Sequence, residues 1–199
     1  MNPESEHQSN APEKTAKGPT SEENEACKQV QLRRFNYQGV ETAVSTDGLD
    51  REILSFYDWA KPQEFENIVR RDLVERLSTV FQTQYAGIEI HTFGSFASGI
   101  YLPIADIDLV PLSDKFRRTG MCSFGERKGK INAISDFLES TNIAVPDSIE
   151  CVAHARVPIL KFVDRVTGLR VDLSFDNNSG LIANETSQTW KEQFPIMPA

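Results

Sequence analysis

Cysteine and histidine are scarce, with three of each among 199 residues, and none lies near another of its kind. Cys27, Cys122 and Cys151 form no CxxC pair, and His7, His91 and His154 add no ligand spacing. A zinc site or a disulfide framework is therefore not expected, and reduced thiols in an intracellular protein are the simpler reading. No apolar run approaches the roughly 18 residues that a membrane span needs. The N-terminus has no apolar signal core, so secretion is not expected either. Positive charge is also short. Lys and Arg total 21 against 29 Asp and Glu, a formal net charge of -8. Such a chain is no obvious nucleic-acid binder, because phosphate contacts draw on clustered Lys and Arg. A site that gathers carboxylates around metal ions is acidic in any case, and net charge says little about the local field.

What is present reads as one domain with a tail. Hydrophobic residues make up 39% of the chain and charged residues 25%, which fits a globular core with a polar appendage. Residues 1–45 are rich in Ser, Glu, Asn, Lys, Pro and Thr and poor in large apolar side chains. They bury too little surface to offset ordering entropy, so a disordered tail is expected there. Leu49 to Ala60 reads as a short apolar helix closed by Pro62. A second helix is predicted over Glu64 to Gln82. Phe65, Ile68, Val69, Leu73, Leu77, Val80 and Phe81 line its inner face, and Glu66, Arg70 and Glu75 fall outside. Strands are predicted over Gly87–Phe93 and Asp106–Pro111, with a polar loop at 113–125 and a helix from Glu126 to Leu138. Further strands follow at Ser148–Ala153, Val157–Val163 and Leu169–Phe175, with Thr167-Gly168 turning a hairpin between the last two. Helices first and strands later predict an α+β or α/β sheet covered by helices.

The chemistry-bearing stretch runs from Phe93 to Val110. Asp106 and Asp108 stand either side of Ile107 on a predicted strand. Side chains alternate along a strand, so both carboxylates project from one face. Carboxylates that close repel one another unless a cation lies between them, and hard oxygen ligands suit Mg²⁺ shared with substrate phosphates. Gly94-Ser95 closes the preceding strand, where glycine lets backbone N–H groups and a hydroxyl approach a triphosphate. Asp172, on a later alternating strand between Val171 and Leu173, offers a third carboxylate; three such groups can hold two metal ions. Each feature alone has an ordinary explanation. A strand DxD arises by chance, and Asp172 alone is an exposed residue or a partner of Arg170. The combination of turn, paired Asp and distant strand Asp in an apolar frame is hard to produce by packing alone.

These residues resemble the DNA polymerase beta nucleotidyltransferase superfamily, whose pattern is a GS turn, a DxD and a later Asp. Phe93-Gly94-Ser95, Leu102-Pro103, Asp106-Ile107-Asp108, Ala155–Val163 and Asp172-Leu173-Ser174-Phe175 with Gly180 are similar to the TRAMP-type poly(A) polymerases and terminal uridylyltransferases, over about residues 49–185. The resemblance implies a catalytic palm, over 46–185, with a mixed five-stranded sheet flanked by helices. It implies that Asp106, Asp108 and Asp172 hold two Mg²⁺ (or Mn²⁺) ions. Gly94 and Ser95 would bind the triphosphate of a nucleotide, ATP first and UTP as the alternative. Asp172 would assist deprotonation of an RNA 3′ hydroxyl. Asn177 or Asn178 would lie near the ribose, with an Asx turn or helix cap as the equal alternative. Residues 186–199 would begin a helical central domain. That domain would carry the base-choosing residues and cover the apolar face of the first helix. Lys115, Arg117, Arg118, Lys128 and Lys130 form the clearest basic cluster, either a solvated loop or a place where RNA enters. Arg156 and Lys161 either meet RNA or flank a strand. Partners of a TRAMP-like complex and a nuclear site are implied, with the cytoplasm as alternative. Two other readings stay open, a catalytically silent fragment acting as an interaction module and a small-molecule nucleotidyltransferase; the Ala155–Val163 segment speaks against the latter.

Overall fold

A computed structural model describes residues 21–33, 46–124 and 128–194. In chain order the elements are α1 (Ser21–Arg33), α2 (Thr46–Ala60), α3 (Glu64–Gln84), β1 (Glu89–Phe93), α4 (Gly94–Ser98), β2 (Ile107–Leu112), α5 (Asp114–Thr119), α6 (Lys128–Ser140), β3 (Glu150–Val152), β4 (Ile159–Val163), β5 (Arg170–Ser174) and α7 (Ser179–Gln193). The strands form one five-stranded sheet in the order β1-β2-β5-β4-β3. All neighbours are antiparallel except β2 and β5, which run parallel. The fold is thus the α+β mixed sheet that the sequence implied. No helix among the described residues is long and apolar enough to cross a membrane.

The core follows from the two periodicities. Val69, Leu73, Leu77 and Phe81 recur every four residues on α3 and are buried, the spacing that makes one helical stripe. Val171 and Leu173 on β5, and Ile107 and Leu109 on β2, supply the alternating buried face of the sheet. Ile131, Ile134 and Leu138 of α6 join the same cluster. At the start of α3 the Gln63 N–H donates to Glu66 Oε2 at 2.9 Å, the return half of a capping box.

Three features differ from the sequence reading. First, residues 21–33 of the expected tail form α1, and Ala26 and Val30 are buried against α3. Small residues one turn apart suffice to dock a helix otherwise polar in composition. Residues 1–20 and 34–45 of that tail lie outside the described residues. Second, the expected loop at 113–125 contains α5. The Ser113 hydroxyl accepts from Phe116 N at 3.1 Å and Gly120 ends the helix with φ 71°, a capped turn that composition hides. Third, Glu66 and Arg70 are buried, not outside. The expected junction between the palm and a following domain, at residues 185 and 186, lies within α7. Leu49, Ile53, Leu54 and Phe56 of α2 stand exposed.

Asp164 fixes the turn that sets β5 in place. It is fully buried at the end of β4. Arg76 of α3 donates to both its carboxylate oxygens at 3.1 Å, and Thr167 donates to Oδ2 from its N–H at 2.8 Å and its hydroxyl at 2.7 Å. Gly168, with φ 67°, returns the chain into β5. Removing Asp164 leaves the buried Thr167 N–H and hydroxyl without their acceptor and Arg76 with Asp72 alone. We expect Asp164→Ala to lower unfolding free energy by about 3–5 kcal/mol, read as a reduced urea midpoint at unchanged slope. A loss below about 1 kcal/mol, the range of an exposed ion pair, would contradict this role.

Candidate active site

The strand registers place five residues side by side across the sheet. Phe93 faces Asp108, Asp108 faces Asp172, Asp172 faces Lys161, and Lys161 faces Glu150. The parallel β2–β5 pairing is what brings two carboxylates distant in sequence next to each other. Asp106 sits just before β2, two residues from Asp108 and so on the same side of the strand. Asp106 and Asp172 line a hollow shared with Ser148, Glu150, Lys161 and Arg170. Asp108 and Asp172 line a second hollow toward α7, with Phe93, Asn177, Ser179 and Gly180. The three expected carboxylates are therefore brought together along one line, with a hollow on each side.

Helix α3 holds the segment that delivers Asp106. Arg70 donates to Ala105 O at 2.9 Å and Asp106 O at 3.3 Å, and its guanidinium lies 4.2 Å from the Tyr101 ring centroid. Tyr101 in turn donates its hydroxyl to Asn67 Oδ1 at 2.7 Å. Arg70 thus turns a buried charge toward carbonyl oxygens and an aromatic face, which explains its inward position.

Gly94 has φ 67°, where an L side chain is strained. A Cβ there would also overlap Asp108 Oδ2 and lie 3.1 Å from its Cγ. Glycine leaves the Asp108 carboxylate room beside the turn. Ser95 follows in α4, which α7 grips from outside. Ser98 Oγ lies 2.7 Å from Asn184 Oδ1, Gln188 Nε2 donates to Ala97 O at 3.1 Å, and Lys191 Nζ donates to Ser98 O. A Cβ on Gly180 would lie 2.8 Å from Phe93 ring atoms, so the start of α7 can close on β1 only with glycine.

The electrostatics match the crowding. Burial first, then the neighbouring charges of Asp106 and Asp172, push the Asp108 carboxyl up from 3.8 to about 6. Lys161 is raised above its ordinary value, chiefly by its hydrogen bond to Asp172. Hard carboxylate oxygens with a shortage of compensating charge suit a divalent ion. As the side chains stand, no three acidic, imidazole or thiol groups among the described residues converge enough to hold one, and the Asp172 carboxylate is engaged by Lys161. The donor set is of the hard-oxygen kind that a divalent cation takes, with Lys161 holding the Asp172 carboxylate in its place.

Other sequence candidates separate. Asn177 lines the second hollow and its Oδ1 also accepts from Ser179 N at 3.0 Å, an Asx turn. Asn178 is exposed at the start of α7 and lines neither hollow. The basic cluster is not an open patch. Arg117 pairs with Glu89 at 2.6 Å, Arg118 with Asp114 at 2.9 Å, and Lys130 bonds Ser123 O. Lys115 is exposed, and the Lys128 side chain lies outside the described residues. Arg156 is exposed between β3 and β4. Sequence reasoning missed Asp176, which is buried with φ 47°. Its carboxylate accepts from Ser113 N at 2.7 Å, Ser113 Oγ at 3.0 Å and Phe124 N at 3.2 Å, tying the end of β2 to the chain after β5. A carboxylate directly after an apolar strand was the available signal.

A mixed sheet with an Asp pair beside a GS turn and a third Asp in parallel register defines a nucleotidyltransferase palm. Residues 49–192 match the family described as "Poly(A) RNA polymerase, mitochondrial-like, central palm domain", and the chain belongs to it. Poly(A) RNA polymerase protein 2 of Saccharomyces cerevisiae is 29% identical over 150 residues, 75% of this chain and 24% of that protein. Poly(A) RNA polymerase cid14 of Schizosaccharomyces pombe is 32% identical over 147 residues, 74% of this chain and 20% of that protein. The polymerase core of TRAMP, an RNA surveillance complex, superposes with a TM-score of 0.60 at 28% identity, over 72% of this chain and 42% of that one. The chain thus spans about a quarter or less of the length of these curated relatives.

Because the Asp108 carboxyl is raised, the folded chain binds more protons than the unfolded chain between pH 3.8 and about 6. Stability contributed by this group is therefore lost as pH rises through that window. We expect Asp108→Asn, without divalent ions at pH 8, to melt higher than the parent by roughly 2–4 °C. The gap closes near pH 4. A variant that melts lower at pH 8 would contradict the assigned crowding.

Proposed function

We propose that this chain is the catalytic palm of a template-independent RNA 3′-terminal nucleotidyltransferase. It transfers a nucleoside monophosphate, AMP first, from a nucleoside triphosphate to an RNA 3′ hydroxyl. The observation that carries the reading is the line of Asp106, Asp108 and Asp172 beside a glycine whose missing side chain leaves Asp108 open. Relatives named poly(A) RNA polymerases support AMP as the transferred group.

In this reading Gly94 and Ser95 meet the triphosphate, and Asn177 faces the nucleotide from the hollow toward α7. The RNA end approaches through the other hollow, where Lys161 and Arg170 supply positive charge. Asp106, Asp108 and Asp172 would hold Mg²⁺ or Mn²⁺, two ions that would supply positive charge against that developing on the attacking and leaving oxygens. In the same reading Asp172 takes up the proton of the 3′ hydroxyl as that oxygen bonds to the α-phosphorus and pyrophosphate departs. Alignment of the two reactants by fixed groups supplies much of the rate. Likeness to the polymerase core of TRAMP, an RNA surveillance complex, supports a role in RNA surveillance with partners of that kind; the nucleus is the first site proposed and the cytoplasm the alternative.

The test is extension of a short RNA by this chain, offered each of the four nucleotides with Mg²⁺ or Mn²⁺. We expect AMP addition that falls by more than about a hundredfold in Asp106→Ala/Asp108→Ala, beyond the 10–100-fold typical of residues that only support a metal ligand. Extension unchanged in the double variant would contradict the assignment. Preference for UTP would make the chain a terminal uridylyltransferase. Absence of extension in both would favour the alternative of a silent palm acting as an interaction module.

A further inference from the structure

We propose that Lys161 is a resident counter-cation of the carboxylate line, which holds Asp172 until a divalent ion displaces it. This rests on the metal-binding reading of the preceding subsection.

Three observations carry it. Lys161 stands directly opposite Asp172 in the β4–β5 register, and its Nζ bonds Asp172 Oδ2. Among the described residues Asp106 and Asp108 make no ion pair, so Lys161 is the cation joined to the line. Third, the Asp172 side chain is 16% exposed while that of Lys161 is 41% exposed. The carboxylate is fixed by the sheet, whereas the ammonium sits on a flexible stem with solvent to withdraw into. An ordinary cross-strand pair of this kind adds a small stabilisation and nothing more. Here the lysine's partner is a carboxylate whose other neighbour in the row is Asp108. An ion entering between them must take Asp172 from the lysine and bear the repulsion of an ammonium alongside.

The consequence has a distinctive sign. If Lys161 merely supported the strand, removing it would weaken ion binding or leave it unchanged. As a competitor, its removal tightens binding. The experiment is Mn²⁺ titration of the full chain without nucleotide or RNA, followed by the electron paramagnetic resonance signal of free Mn²⁺. The chains are the parent, Lys161→Met, Lys161→Gln, Lys161→Arg and Asp108→Ala. We expect Lys161→Met and Lys161→Gln each to bind Mn²⁺ roughly tenfold more tightly than the parent, and Lys161→Arg to stay within about twofold because the charge is kept. Both neutral variants should melt lower than the parent without metal and regain the difference when Mn²⁺ saturates. Neutral variants that bind Mn²⁺ equally or more weakly overturn the role of Lys161 alone. A parent that binds no more Mn²⁺ than Asp108→Ala overturns the metal reading, and this inference with it.

Discussion

Like-charge repulsion among Asp106, Asp108 and Asp172 is the constraint around which the rest of the molecule is arranged. Parallel pairing of β2 with β5 sets Asp108 against Asp172 in adjacent strands, and Asp106 adds a third negative group from the residue before β2. A fold optimised for stability alone would not gather these groups. The Asp108 carboxyl is raised by burial first and then by the charges of Asp106 and Asp172. Strained or unfavourable placement that the surrounding structure over-determines is the pattern of functional sites.

The surroundings do over-determine it. Helix α3 acts as the fixed member on one side of the sheet: Asn67 and Arg70 hold the approach to Asp106 through Tyr101 and two carbonyls, and Arg76 holds the Asp164 turn that starts β5. Asp176 ties the segment after β5 to the end of β2. Helix α7 closes on the other side, pressing Gly180 against Phe93 and gripping α4 through Gln188 and Lys191. Each carboxylate of the line is therefore reached by an element whose position is set by buried polar bonds, which are costly to break. The Asp residues can then line the two hollows while the frame behind them stays put.

The parts of this arrangement legible in the sequence were those in which chemistry restricts residue type. Asp106, Asp108 and Asp172 each alternate with buried apolar residues, so strand periodicity and carboxylate spacing announced them together, and Gly94-Ser95 marked the turn. The β4–β5 hairpin was legible from Thr167-Gly168 for the same local reason. What was hidden depended on tertiary partners. Arg70 and Glu66 read as solvent-facing because a helical pattern records charge and not the carbonyls or backbone N–H awaiting it. Helix α1 was hidden because Ala26 and Val30 are too small to signal an apolar stripe, yet fit against α3. Asp176 escaped because its donors come from Ser113 and Phe124, far away in the chain. In the basic cluster, Arg117 and Arg118 serve Glu89 and Asp114.

The central claim is that the line of Asp106, Asp108 and Asp172 is one divalent-cation site. Its most direct test is paramagnetic line broadening of backbone amide resonances on addition of substoichiometric Mn²⁺ to the full chain. The account predicts broadening centred on Gly94, Asp106 to Asp108 and Asp172, and removed by excess Mg²⁺. Broadening centred elsewhere, or spread evenly over exposed acidic residues, would contradict it.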